Sequence, residues 1–206
     1  MPTFIKVHAA SATQPHVTPM RCPSCRREGS FHPINGHNDV IASGALLGHR
    51  VCPNPSCLTH VFVMFLGGTT TSFPPETIDF DAAAVPAHIV NVFEEALTCH
   101  ANCCYRAAAM LVRKTLEILC EERGAAGKDL KDRLGALRKI VILPEALFQA
   151  ADGLRLLGND AAHIEAKTYL DVGKEETAVA IVLAKEILKA VYQYDALVSQ
   201  LTALKK

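Results

Sequence analysis

The sequence predicts a mainly α protein, in which a bundle of four to five helices follows a small β module. From Pro86 onward the chain is rich in Ala, Leu, Glu and Lys, and its apolar residues recur at helical spacing. Before that point it holds two close pairs of cysteines, several Gly and Pro residues, and the β-like run His60–Phe65. With 206 residues, half of them hydrophobic, the chain can form one ordinary domain and a small module, or two small domains.

Composition also divides the chain into segments. Residues 1–20 are rich in Pro, Thr, Ser and Ala and have little periodicity, so we expect a flexible leader. Residues 21–66 contain the paired cysteines and form the β module. The stretch 67–85 has paired glycines, a Thr run and a Pro pair, which predict a linker. Residues 86–206 then form the helical region.

Start and stop signals divide the helical region into its elements. Pro86 suits the first helical position, and Gly124 suits a helix end. The predicted helices cover about 86–102, 103–123 and 128–140, a fourth that opens at Pro144, and a last one over 174–204.

Charge and hydropathy exclude some classes of protein. The 21 basic residues balance the 21 acidic ones, which argues against binding nucleic acid through bulk electrostatics. No run approaches the roughly 18 apolar residues that a membrane span needs. The first 20 residues also lack the apolar core of a secretory signal. We therefore expect a cytoplasmic protein with no membrane partner, in a compartment where disulfides are rare.

Two cysteine pairs predict a metal site. Cys22 and Cys25 enclose Pro-Ser, and Cys52 and Cys57 enclose Pro-Asn-Pro-Ser. Zinc prefers four such ligands at tetrahedral corners, and short turns joined by a β-hairpin supply them. The spacing predicts one structural Zn²⁺ per chain and makes residues 21–66 a zinc-ribbon module. Four protein ligands close the coordination shell, so this metal would fold the module rather than catalyse.

Other interpretations of the cysteines remain open. The four could be ordinary reduced thiols or include a redox pair, although no βαβ pattern surrounds them. His60 is an alternative ligand three residues after Cys57. Cys99, Cys103, Cys104 and Cys120 are interpreted as small core residues, with a second metal site as the alternative. A ribbon of this kind binds nucleic acid or protein, or caps a neighbouring domain.

A polar stripe lies in the segment LRLLGNDAAH at 154–163. Arg155, Asn159 and His163 follow one another at intervals of four, along one face of a predicted helix. A permanent cation, an amide and a group that titrates near neutrality together resemble an anion-binding site. The alternative is the polar face of a half-buried helix. Arg113 and Glu117, also four apart, predict a local ion pair or an accessory part of the same pocket.

The order of these motifs resembles a known family. A cysteine ribbon is followed by RAAAMLVRKTLE at 106–117 and LRLLGNDAAH at 154–163. This order is similar to a prokaryotic family of domains of unknown function, DUF4145, grouped with the HEPN (higher eukaryotes and prokaryotes nucleotide-binding) superfamily. The resemblance covers about residues 20–200 of the chain. It implies that 86–206 is a HEPN-like helical bundle, commonly dimeric.

The resemblance also implies a catalytic activity. In active HEPN ribonucleases, Arg and His at the dimer interface cleave RNA without metal. Here Arg155 would hold the phosphate, His163 would act as general acid or base, and Asn159 would orient either group, with Arg113 as an accessory phosphate contact. Seven residues separate Arg155 from His163, more than in typical active members.

We therefore expect an adaptor of a prokaryotic stress or phage-defence system that binds RNA, a nucleotide or a protein. The alternative is a metal-independent, toxin-like endoribonuclease. In either case the resemblance implies a homodimer formed through the helical bundle, and the ribbon is the expected site for a protein partner.

Overall fold

The computed structural model describes residues 9–34, 38–141, 144–150 and 172–204. The chain divides into two compact units, Met1–Thr77 and Ile78–Lys206. The described part of the first unit forms a seven-stranded antiparallel sheet, and the helices follow in the second unit. The prediction of a mainly α protein with only a small β ribbon was therefore wrong. We call the two parts the β unit and the helical unit.

The sheet of the β unit branches at its fifth strand. The strands are β1 (Ala10–Thr13), β2 (Thr18–Arg21), β3 (Glu28–Pro33), β4 (Asp39–Ala42), β5 (Ala45–Val51), β6 (His60–Leu66) and β7 (Thr69–Phe73). One edge of β5 pairs with β6, and β7 continues the sheet beyond β6. The other edge pairs with β4 near its start and β3 near its end. Beyond these, β1 pairs with β4 and β2 pairs with β3.

The sheet is larger than predicted because it recruits segments on both sides of the cysteine module. β1 and most of β2 lie in the stretch interpreted as a leader, and β7 lies in the stretch interpreted as a linker. A two-residue turn at Gly67 and Gly68 joins β6 to β7, with φ of 58° and 76°. Both residues of this turn need positive φ, and glycine adopts it without steric cost.

The apolar core of the β unit is small. Within the described residues its main cluster consists of Cys22, Phe31, Cys52, Val61 and Val63. Val61 and Val63 are buried, because alternate side chains of β6 point to this face of the sheet. Two cysteines of the predicted metal site therefore belong to the core itself.

The helical unit is built around a larger core. Its helices are α1 (Ala87–Ala101), α2 (Tyr105–Glu122), α3 (Leu130–Leu137), α4 (Lys174–Leu188) and α5 (Tyr194–Ala203), and residues 145–150 are also helical. Ile89, Phe93, Leu116, Leu119 and Ile181 are among its fully buried side chains. No helix in the described ranges is long and apolar enough to span a membrane.

Several predicted helix ends are confirmed. Pro86 lies at the N-cap of α1, one position before the predicted first helical position, and Gly124 follows α2 with φ of 70°. Asp129 caps α3 by accepting a hydrogen bond from the Asp132 backbone N–H at 2.9 Å. The predicted last helix, over about 174–204, is also confirmed, and a π-helical turn at Lys189–Gln193 lies within it, between α4 and α5.

Candidate metal centre

The four predicted cysteines come together in the β unit. The sulfur atoms of Cys22 and Cys57 are 3.8 Å apart, and those of Cys25 and Cys52 are 3.7 Å apart. All four sulfurs lie within 4.8 Å of one another. Sulfurs around one tetrahedral ion with bonds of about 2.3 Å are about 3.8 Å apart. The cluster therefore has the donor type, donor number and spacing needed to bind a metal ion.

The first cysteine turn connects β2 to β3. Cys22 directly follows β2, and its N–H donates to the carbonyl of Arg27 at 2.9 Å. Arg26 N–H donates back to the Cys22 carbonyl at 3.1 Å, with Arg26 at φ of 64°. The N–H of Cys25 points at the Cys22 sulfur at 3.4 Å. An N–H in this position can donate to a metal-bound cysteine sulfur.

The second cysteine turn connects β5 to β6 and repeats this arrangement. Cys52 directly follows β5, and its N–H donates to the Thr59 carbonyl at 2.9 Å. The N–H of Cys57 donates to the Asn54 carbonyl at 2.9 Å. Leu58 has a positive φ of 50°, as Arg26 has in the first turn. In both turns a left-handed residue follows the second cysteine and returns the chain to the sheet.

A close backbone approach brings the second turn against β3. A Cβ on Gly29, in β3, would lie 2.8 Å from Cγ of Pro53, which is closer than real Cβ contacts. The missing side chain at Gly29 therefore leaves room for the proline ring next to Cys52.

The cysteines differ in acidity. The hydroxyl of Thr59 lies 3.0 Å from the Cys57 sulfur and lowers the pKa of Cys57 to about 6. A hydrogen bond from the Asn54 side chain lowers the pKa of Cys25. Burial raises the pKa of Cys52 to about 12. A metal ion that binds at neutral pH must therefore displace the Cys52 proton.

The other predicted site residues lie elsewhere or outside the described residues. Arg155, Asn159 and His163 fall in the stretch 151–171, which the structure does not describe. Arg113 Nε donates to Glu117 Oε1 at 2.9 Å, so the predicted ion pair forms along α2. Whether any of the five contributes to a phosphate site remains a prediction.

The alternative ligand and the remaining cysteines can also be placed. The metal-binding group found among the described residues does not include His60, whose Nδ1 lies 3.0 Å from Nε2 of His49. Cys120 is buried in the helical core, as predicted. Cys103 and Cys104 are instead exposed where α1 connects to α2.

The β unit also contains a buried ion pair that the sequence analysis missed. Arg50 in β5 donates to both carboxylate oxygens of Asp39 in β4, at 2.7 and 2.6 Å. Burial alone would raise the pKa of Asp39, but the hydrogen bonds from Arg50 outweigh it and hold the pKa below its usual value. A Cβ on Gly48 would overlap both groups, so this glycine provides the space for the pair. The sequence did contain one signal of this pair, because Arg50 lies within the largely apolar strand β5.

Comparison with known proteins identifies the helical unit. A family model described as a domain of unknown function (DUF4145) matches residues 94–206. The comparisons with curated proteins and with solved structures give no match. Because the family model covers more than half of the chain, the protein belongs to the DUF4145 family.

Proposed function

We propose that this protein is a non-catalytic adaptor, whose β unit holds one structural Zn²⁺ and serves as a binding module for nucleic acid or protein. The observation that carries the proposal is the cluster of Cys22, Cys25, Cys52 and Cys57, with all sulfurs within 4.8 Å. Four thiolates suit zinc, and they leave no open position for a substrate.

The composition of the core supports a structural role for the metal. Cys22 and Cys52 belong to the small apolar cluster of the β unit, together with Phe31, Val61 and Val63. A core of this size contributes little free energy of folding, so small domains often depend on a metal. When bound, zinc would cross-link the turn between β2 and β3 to the turn between β5 and β6.

Metal analysis of the purified full chain tests this proposal. We expect about one zinc per chain, and we expect a chelator to unfold the β unit while the helical unit stays folded. The helical unit has its own larger core, so thermal unfolding should lose one of two transitions. A metal-free chain with both transitions intact would contradict the zinc proposal.

We also propose that the helical unit self-associates. Leu197, Val198 and Leu201 are each more than half exposed along α5 and form an apolar stripe at helical spacing. Sedimentation at micromolar concentration should detect a dimer, which the double substitution Leu197→Lys and Leu201→Lys converts to a monomer. Gln200→Lys, on an exposed position of the same helix, is the matched control. A monomeric wild-type chain would contradict this part of the proposal.

A further inference from the structure

An exposed row of rings crosses three strands of the β unit. His49 lies opposite Phe62 in the register of β5 and β6, and Phe62 lies opposite Phe73 in the register of β6 and β7. Directly paired residues of an antiparallel sheet share one face. Val61 and Val63, on either side of Phe62 in β6, point to the small core. The three residues, here called the aromatic row, therefore lie on the face opposite that core.

The rings of the aromatic row remain accessible. Phe62 is 57% exposed and Phe73 is 67% exposed. Large aromatic side chains are usually covered, because their burial contributes strongly to folding. Two of them side by side at the surface, outside the core cluster, form an exposed apolar patch of the kind found at binding sites.

One ring of the row is held in place before any ligand binds. The imidazole of His49 stacks on Phe62, with 4.5 Å between ring centroids and 15° between planes. Nδ1 of His60 lies 3.0 Å from Nε2 of His49 and fixes the orientation of that imidazole. A flat, preorganised surface of this kind suits a planar ligand, since less side-chain entropy is lost on binding.

The aromatic row borders an open groove with a volume of about 460 Å³. Leu47, Met64 and Thr71 complete its floor, so the lining is almost entirely apolar. No Asp or Glu occurs among the lining residues. The groove thus offers stacking surface without a carboxylate that would repel an anion.

The net charge of the β unit does not oppose an anionic ligand. Residues 1–77 contain five Lys and Arg residues but three Asp and Glu residues. The ion pairs of Asp39 with Arg50 and of Glu76 with Arg21 each use one charge of either sign and leave this excess unchanged. The neutral composition of the whole chain therefore hides a small positive excess in the β unit.

We infer that the aromatic row binds single-stranded nucleic acid by stacking on its bases, an inference that rests on the proposed role of the β unit as a binding module. Every base has a flat face, and aromatic side chains on a surface stack on successive bases with little dependence on sequence. In a duplex those faces are covered by neighbouring bases, so the row selects single strands. The few positive charges make stacking, rather than phosphate contact, the main source of affinity.

Fluorescence titration of the full chain tests this inference. The probes are labelled oligo-U RNA and oligo-dT DNA of about 8 nucleotides, with a DNA duplex of similar length for comparison. We expect both single strands to bind and the duplex to bind far more weakly. Phe62→Leu and Phe73→Leu keep apolar side chains but remove the rings, and each should weaken binding roughly tenfold. Ile41→Ala is the matched control, because Ile41 is exposed on β4 but lies on the opposite face of the sheet from the aromatic row. It pairs with Leu46, and Leu46 pairs with Phe65, which packs on the core.

A tryptophan variant gives a direct signature of stacking. The chain contains no Trp, so Phe62→Trp introduces a single indole fluorophore. This variant should bind at least as well as the wild type, and its emission should be quenched as oligo-dT is added. Binding without quenching would contradict stacking at this position.

Several results would overturn the inference: no binding of single strands, equal binding of the duplex, or leucine variants that bind like the wild type. A dimer that dissociates in the leucine variants would show instead that a second copy covers the row. Zinc is measured in the same preparation. A zinc-loaded chain that does not bind the oligonucleotides contradicts only this inference. A metal-free chain contradicts the zinc proposal, and its oligonucleotide titration still tests whether the aromatic row binds bases.

Discussion

Arg50 and Asp39 form a bidentate ion pair that is buried from solvent, with the Arg50 side chain 0% exposed and the Asp39 side chain 1% exposed. The pair joins β4 to β5, and Arg50 Nε also donates to the Thr18 hydroxyl of β2 at 3.2 Å. Three strands of the branched sheet therefore meet at one guanidinium. Such a pair contributes little net free energy over an apolar replacement, but removing one partner leaves a buried charge unsatisfied.

The first prediction concerns this charge. Asp39→Asn leaves the Arg50 guanidinium buried without its counter-charge, and we expect the free energy of unfolding of the β unit to fall by about 3 kcal/mol or more. Glu76→Gln is the matched control, because it removes one carboxylate from the partly exposed pair with Arg21 and should cost less than about 1 kcal/mol. Urea unfolding, monitored by the release of zinc, measures the stability of the β unit. Equal losses in the two variants would contradict the prediction.

The second prediction is the pH dependence of the same pair. Because the folded pKa of Asp39 lies below its usual value, the ionised form contributes stability above the unfolded pKa of about 3.9. That contribution is lost as the pH falls through the lower, folded pKa. We expect the unfolding free energy of the wild type to drop more steeply than that of Asp39→Asn between about pH 5 and pH 2. Parallel curves would show that Asp39 does not titrate with folding, since both proteins keep the same cysteines.

The metal site and the helix ends could be predicted because both are local in sequence. Each cysteine pair spans at most six residues, and its prolines and spacing already define a turn. Pro86 and Gly124 likewise act on the residues beside them. Short-range patterns of this kind survive folding, whatever the rest of the chain does.

The size of the sheet could not be predicted from the same patterns. β2 reads TPMR and β7 reads TTTSF, and neither has the apolar alternation that identifies a strand. They are strands because they pair with β3 and β6, which is a tertiary effect. One signal was available: Gly67-Gly68 after an apolar β run is typical of a hairpin turn. The pairing of Asp39 with Arg50 likewise depends on the register of β4 and β5.

The third prediction tests the metal ligands one at a time. Cys57→Ser removes a sulfur 3.8 Å from that of Cys22, and we expect the chain to lose most of its zinc and the fold of its β unit. Cys104→Ser is the matched control, because Cys104 is exposed in the helical unit and should leave the zinc content unchanged. Metal analysis measures the zinc content, and circular dichroism measures the loss of folded structure. Full zinc content in Cys57→Ser would mean that another group supplies the fourth ligand.

The fourth prediction addresses the ribonuclease alternative. Seven residues separate Arg155 from His163, more than in typical active members of the ribonuclease superfamily that the sequence resembles. We therefore expect no cleavage when the purified protein is incubated with RNA in the presence of a chelator. Cleavage that persists with chelator and disappears in His163→Ala would favour the ribonuclease over the adaptor. Arg155→Ala is tested in the same assay, and its melting temperature is compared with that of the wild type. The comparison distinguishes a loss of activity from a loss of stability.

The fifth prediction concerns the close contact between β3 and the second cysteine turn. In Gly29→Ala the new methyl group would lie 2.8 Å from Cγ of Pro53, a rigid ring that cannot turn aside, so the turn carrying Cys52 and Cys57 must shift. Metal affinity depends on how well the surrounding residues position the ligands, and we expect a loss of 10- to 100-fold, roughly the range for outer-shell changes. Competition with a coloured chelator measures the loss. Ser30→Ala, an exposed neighbour in β3, should leave the affinity unchanged, and an unchanged affinity in Gly29→Ala would show that the turn moves without disturbing its sulfurs.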